Sequence, residues 1–240
     1  MIEVLFRKLK RFDLLKLLFW RIRDIAEQRL FRFRNGSLYL GKDVQIIGVN
    51  KVLVGDKCSF GDQLWLNVKN QGARDQDKTV FIGNFSNIGR NNFITVSDGL
   101  VIGDYFFSSC YCAIVGASHE ADPLHAYISA PVVPLGQRIK IGSNVFMGCH
   151  SQIVGGVTIG FGSIIGAGAI VNFDVPPLSQ VVGSPGKIIA RYSIERARWE
   201  KESELQDEII SETDYLKLLR AKCPSVPIPY HAASARNGWI

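Results

Sequence analysis

Between Ile141 and Val171 one apolar residue recurs every six positions: Ile141, Met147, Ile153, Ile159, Ile165 and Val171. Glycine directly follows four of them (Gly142, Gly148, Gly160, Gly166), and a small or β-branched residue stands four positions on (Val145, Ser151, Val157, Ser163, Ala169, Val175). A period of six fits neither the ~3.6 of a helix nor the alternation of a strand. It fits a solenoid in which each six-residue unit makes one short strand and one corner, and three units make a coil. The apolar residue then points into the coil. The glycine stands where a side chain would clash or the backbone would need a strained φ.

The same phase runs back through Ile114, Ser108 and Ile102, then Ile94, Ile88 and Ile82, then Leu66, Phe60 and Val54, then Ile46 and Leu40. In all, 17 positions are in phase, which predicts nearly six coils of an all-β solenoid. Gaps of eight from Ile46 to Val54 and from Ile94 to Ile102 read as two-residue bulges at corners. Two longer breaks read as loops: Asn67 to Thr79, whose Gln71-Gly72-Ala73-Arg74-Asp75-Gln76-Asp77-Lys78 reads as polar, and Gly116 to Arg138, which holds His119, Glu120, Asp122 and His125.

The ends have a different pattern. In 1–35, Leu5, Leu9, Phe12, Leu15, Phe19, Ile22, Ile25 and Leu30 recur at helical spacing with basic residues between them, which predicts an amphipathic helical extension. The solenoid domain is expected over 36–190, closing at the Pro176-Pro177 and Gly183-Ser184-Pro185-Gly186 clusters. Beyond it, 191–240 predicts a polar helix from Ser193 through Leu219 and an irregular tail.

Charge sharpens this division. The formal charge of +6 resides in residues 1–34, with ten Lys/Arg against four Asp/Glu, while the rest balances at 18 of each sign. A neutral solenoid argues against nucleic acid as a partner. The basic helix either packs on the solenoid or lies on an anionic membrane surface, giving peripheral association through 1–34. Nothing resembles a cleavable leader or a spanning segment, and five cysteines without a C-x-x-C pair fit a reducing cytoplasm. Cys58 and Cys112 fall at small-residue positions and read as buried thiols.

The hexad run with Ile165-Gly166-Ala167-Gly168-Ala169, followed by Val182-Gly183-Ser184-Pro185-Gly186-Lys187, resembles the hexapeptide-repeat acyltransferases, and within them the bacterial sugar and polysaccharide O-acetyltransferases. The resemblance covers roughly 38–191. It implies a left-handed parallel β-helix, a homotrimer with active sites between subunits, acetyl-CoA as cosubstrate, no metal, and a saccharide acceptor. With the basic N-terminal helix it points to a surface polysaccharide or its lipid-linked precursor, made in the cytoplasm at the inner membrane face.

Acetyl transfer from a thioester to a hydroxyl needs a base for the attacking alcohol, donors for the tetrahedral oxyanion and a proton for the departing thiolate. Imidazole suits both proton steps. His119, in Gly116-Ala117-Ser118-His119-Glu120-Ala121-Asp122-Pro123, resembles the family's catalytic-loop histidine, with Glu120 or Asp122 to orient it and His125 as a weaker alternative base. Asp122 also suits a turn before Pro123. Carried over by position, the acetyl-CoA contacts are Gly148, Cys149, Gly166, Ala167 and Asn172, with Lys187 and Arg191 toward the phosphates. The chain departs from the family at Val145-Phe146-Met147-Gly148, where many relatives carry Trp, and it lacks the basic residues often found near Asn172-Phe173. Two other readings use the same fold: a carbonic-anhydrase-like metal enzyme drawing on His119, His125 and His150, and a non-catalytic trimeric scaffold.

Overall fold

The chain divides into two units, Met1–Gly36 and Ser37–Ile240. The computed structural model describes residues 38–68, 80–201 and 210–224, all in the second unit. The helix expected over 1–35 and most of the polar loop after Asn67 lie outside the described residues.

The strands are short and follow the hexads. The first circuit is β1 (Tyr39–Leu40), β2 (Gln45–Ile47) and β3 (Val52–Val54), and the second is β4 (Ser59–Phe60), β5 (Trp65–Val68) and β6 (Val80–Ile82). β7 (Asn87–Ile88), β8 (Phe93–Val96) and β9 (Leu100–Ile102) make the third. The fourth is β10 (Phe107–Ser108), a long β11 (Ala113–His119), its partner β12 (Val132–Pro134) and β13 (Ile139–Ile141). The fifth is β14 (Phe146–Met147), β15 (Gln152–Val154) and β16 (Thr158–Ile159). In the sixth, β17 (Ile164–Ile165) and β18 (Ile170–Val171) lead to Val175, which bridges in parallel to Ile159.

Each of the first five circuits contributes one strand to each of three sheets, and the sixth contributes strands to two of them. The first face runs β1-β4-β7-β10-β14-β17, the second β2-β5-β8-β11-β15-β18 and the third β3-β6-β9-β13-β16, with parallel pairing throughout these runs. The in-phase residues fill the space between the faces: Phe60, Leu66, Ile82, Ile88, Ile94, Ile102, Met147, Ile153, Ile159, Ile165 and Val171 are each at most 1% exposed. Burial of each large aliphatic side chain favours the fold by about 1.5–3 kcal/mol. The eight-residue gaps are absorbed between the second and third faces, in a 3-10 turn at Val49–Lys51 in the first circuit and around Gly99 in the third. Cys58 and Cys112 are buried, and burial pushes the Cys58 thiol up to about 11.

The hexad glycines serve close approach rather than unusual φ. A Cβ on Gly142, Gly148 or Gly160 would lie 2.5, 2.6 or 2.2 Å from backbone nitrogen of the next rung. Left-handed φ occurs instead at corner residues such as Asp43, Gln63, Asn91, Tyr111 and His150, where one residue in αL turns the chain from the first face to the second.

At the corner between the third and first faces one device repeats. The side chains of Asn84, Asp104 and Ser143 each accept from the backbone N–H one rung back, on Asp56 (2.9 Å), Asn84 (2.8 Å) and Asp104 (3.1 Å). The last member of this ladder comes from the C-terminal helix α1 (Glu212–Lys222): Glu212 accepts from Ser143 N–H at 2.6 Å. Tyr215 receives the Asn144 amide and packs on Phe161 with ring centroids 4.9 Å apart. Burial raises the Tyr215 phenol above its ordinary range. Tyr215→Ala should therefore release α1 at a cost of about 2 kcal/mol. Hydrogen exchange would show the α1 amides losing protection while the rung amides of β13 and β14 keep theirs.

The expected helix from Ser193 is only partly present. After β19 (Ser179–Val182), which extends the first face, β20 (Lys187–Ser193) and β21 (Arg198–Glu200) add two antiparallel strands to it. Local polar bonds override the helical spacing here. Ser193 Oγ accepts from Arg196 N–H at 3.0 Å, Ala197 takes φ +52, and the buried Glu200 carboxylate is clamped by Arg196 and Arg198 at 2.8 Å. Arg198 and then Arg196 hold that carboxyl below the usual range. Tyr192 and Trp199 meet edge to face across the pair at 5.4 Å.

Candidate active site

Among the described residues, β11 is the strand of the second face that runs well past its neighbours. Ala113, Ile114 and Val115 pair with β15, and then the strand leaves the stack and pairs antiparallel with β12: Ala117 with Pro134, Ser118 with Val133, His119 with Val132. The result is an arm with His119 at its outer end, fixed further by Glu120 N–H donating to Pro131 O at 2.9 Å. The loop beyond is exposed from Glu120 to Ser129.

The His119 side chain is exposed, with Nδ1 2.8 Å from the Ala130 carbonyl oxygen. A carbonyl only accepts, so Nδ1 carries the hydrogen, and in the neutral ring Nε2 keeps its lone pair. This tautomer suits a general base. The described partner of the ring is thus the carbonyl of Ala130, a buried residue between the 3-10 turn Tyr127–Ser129 and β12. Asp122 Oδ1 accepts from Leu124 N–H at 2.9 Å, closing a turn around Pro123, and no described hydrogen bond joins Glu120 to the ring. Sequence reasoning missed Ala130, because a backbone carbonyl eleven residues away carries no residue-type signal. His125 N–H bonds back to Asp122 O at 3.0 Å in the exposed loop. His150 sits at a corner with φ +60, stacked on Tyr111 at 5.0 Å. Among the described residues no group of three or more His, Cys, Asp or Glu is placed to hold a metal ion.

The expected acetyl-CoA residues divide into groups. Gly148 and Gly166 follow the paired residues Met147 and Ile165 on adjacent rungs of the first face, and Cys149 and Ala167 follow at the corner. A Cβ on Gly148 would lie 2.6 Å from Ala167 N, so glycine there lets the two rungs close up. Val181 pairs with Ile165, which puts Val182 beside Gly166, and Lys187 pairs with Val182. Gly148, Gly166 and Lys187 therefore lie in one row across this edge, with the Lys187 side chain exposed. Asn172 is exposed at the end of β18 on the second face. Arg191 is apart: it pairs with Ser179 at the far end of β20, and its guanidinium donates to Pro177 O at 3.2 Å. Its contact anchors the closing hairpin. No described contact joins the His119 arm to the glycine row within one chain.

No family model matches the chain. A probable acetyltransferase of Mycobacterium tuberculosis is 26% identical over 177 residues, 71% of this chain and 55% of the relative, so the chain spans about half the relative's length. The putative lipopolysaccharide biosynthesis O-acetyl transferase WbbJ of Escherichia coli is 25% identical over 191 residues, covering 75% of this chain and 91% of the relative. A mutant of AntD, an N-acyltransferase from Bacillus cereus solved with dTDP-4-amino-4,6-dideoxyglucose and coenzyme A, matches with a TM-score of 0.51 at 20% identity, over 80% of this chain and 96% of that one. The chain shares the fold of that N-acyltransferase. The geometry of the His119 arm and of the α1 ladder rests on this chain's own contacts. Among the described residues no helix is long and apolar enough to cross a membrane.

Proposed function

We propose that the chain is an O-acetyltransferase that moves an acetyl group from acetyl-CoA to a saccharide hydroxyl, working as a homotrimer of left-handed parallel β-helices. The observation that carries this reading is the His119–Ala130 bond, which leaves Nε2 as a free base on an exposed, backbone-fixed arm. His119 Nε2 takes the hydroxyl proton as the oxygen attacks the thioester carbon, and the imidazolium returns that proton to the departing sulfur. The row at Gly148, Gly166 and Lys187 suits a pantetheine arm along the rungs with a cation toward the phosphates. Because one chain leaves the arm and the row unjoined, the reading places the arm of one subunit against the row of its neighbour. The WbbJ relative, named for lipopolysaccharide biosynthesis, supports a surface polysaccharide or its lipid-linked precursor as acceptor. The basic segment 1–34 then serves as a contact to the inner face of the cytoplasmic membrane.

The test is release of free thiol from acetyl-CoA against nucleotide sugars, oligosaccharides and extracted bacterial glycans. Turnover with one saccharide class, with acetyl recovered as an alkali-labile ester, is the expected result. An alkali-stable amide on an amino sugar would overturn the O-transfer reading, and absence of both turnover and acetyl-CoA binding would overturn acetyl transfer.

A further inference from the structure

Cys110 and Cys149 occupy equivalent places on neighbouring circuits. Ser108 pairs with Met147 between β10 and β14, and each cysteine stands two residues beyond its member of that pair. Their Sγ atoms are 3.1 Å apart, and both side chains are partly exposed. Adjacent strands lie about 4.8 Å apart, which is inside the roughly 4.4–6.8 Å between Cα atoms that a disulfide spans. The next residues hold the two rungs in register. Tyr111 stacks on His150 with planes 5° apart, and His150 N–H donates to Cys110 O at 3.2 Å. The other described thiols differ: Cys58 and Cys112 are buried, and Cys223 is exposed with no described thiol facing it.

We propose that Cys110 and Cys149 are a reversible redox site, a dithiol that a low-molecular-weight disulfide converts into a disulfide bridging two rungs. This goes beyond the acyl-transfer reading and stands without it. The Cys110 thiolate attacks one sulfur of the small disulfide, expelling one thiolate and leaving a mixed disulfide. The Cys149 thiolate then attacks the Cys110 sulfur and expels the second. The two cysteines lose two protons and two electrons, and the small disulfide gains both as two thiols. Cys110 suits the attacking role: the hydrogen bond between the two thiols, and to a smaller extent the nearby Arg90 cation, hold its thiol below the ordinary range, while that same bond raises Cys149.

The experiment treats the full-length protein with glutathione disulfide, alkylates the remaining thiols and maps peptides by mass spectrometry. The expected product is a Cys110–Cys149 linked peptide pair, lost on reduction with dithiothreitol, while Cys223 carries a stable glutathione adduct. In Cys149→Ser the reaction should stop at a glutathione adduct on Cys110. Persistent adducts on Cys110 or Cys149 in the unsubstituted protein with no linked pair, or both thiols still alkylated under conditions that modify Cys223, would overturn the proposal.

Discussion

Alanine at Gly89 should cost the stack about 3 kcal/mol or more, one of the largest effects open to a single methyl group here. A Cβ at this position would lie 2.2 Å from the Ser109 carbonyl oxygen and 2.6 Å from its carbon, both main-chain atoms of the next rung. The neighbour cannot rotate away as a flexible side chain would. Ser109 is itself held by its N–H to Met147 O at 2.8 Å, so relief requires prying β7 from β10 and moving the rungs beyond. Overpacking of a well-filled site costs about 1–3 kcal/mol even where side chains can yield. Gly168 is the control. It has φ +69, and an added Cβ would meet nothing within 4 Å, so Gly168→Ala should lose only the left-handed penalty of roughly 1–2 kcal/mol. Urea unfolding followed by far-UV circular dichroism would separate the two. Equal midpoints for both variants would show that rung spacing is softer than the contact implies.

This contrast also marks what the sequence could reveal. The six-residue period exposes the core directly, because each inward residue repeats at the same offset, and Phe60, Met147 and Val171 are buried as expected. It also fixes which residues become neighbours. Ser108 and Met147 are both in phase, one circuit apart once the Gly116–Arg138 loop is removed, and the adjacency of Cys110 and Cys149 follows from that pairing. The period says nothing about contacts made by backbone atoms or across irregular segments. The Ala130 carbonyl, the Glu212 cap on the Asn84 ladder and the turn of Ser193 into β21 depend on how loops return, not on residue spacing. Arg191 shows the same limit: its position matched a phosphate-binding pattern, and the spacing gave no sign of the bond its guanidinium makes to Pro177 O across the hairpin.

His119→Asn should reduce kcat by about 10²- to 10⁴-fold, the range a positioned general base contributes. Asparagine can still donate its amide to the Ala130 carbonyl in place of Nδ1, so the arm keeps its tether while the lone pair of Nε2 is gone. Acetyl-CoA affinity, measured by calorimetry, should change little, because Gly148, Gly166 and Lys187, the proposed holders of the cosubstrate, are unaltered. Glu120→Ala and Asp122→Ala supply the decisive comparison. With the ring oriented by a carbonyl, Glu120→Ala should leave kcat nearly unchanged. Asp122→Ala should act only through the lost Leu124 cap, about 1 kcal/mol of local order. A loss in Glu120→Ala as large as in His119→Asn would instead show that the carboxylate moves onto the imidazole when substrate binds, and the Ala130 bond would then describe the resting arm alone.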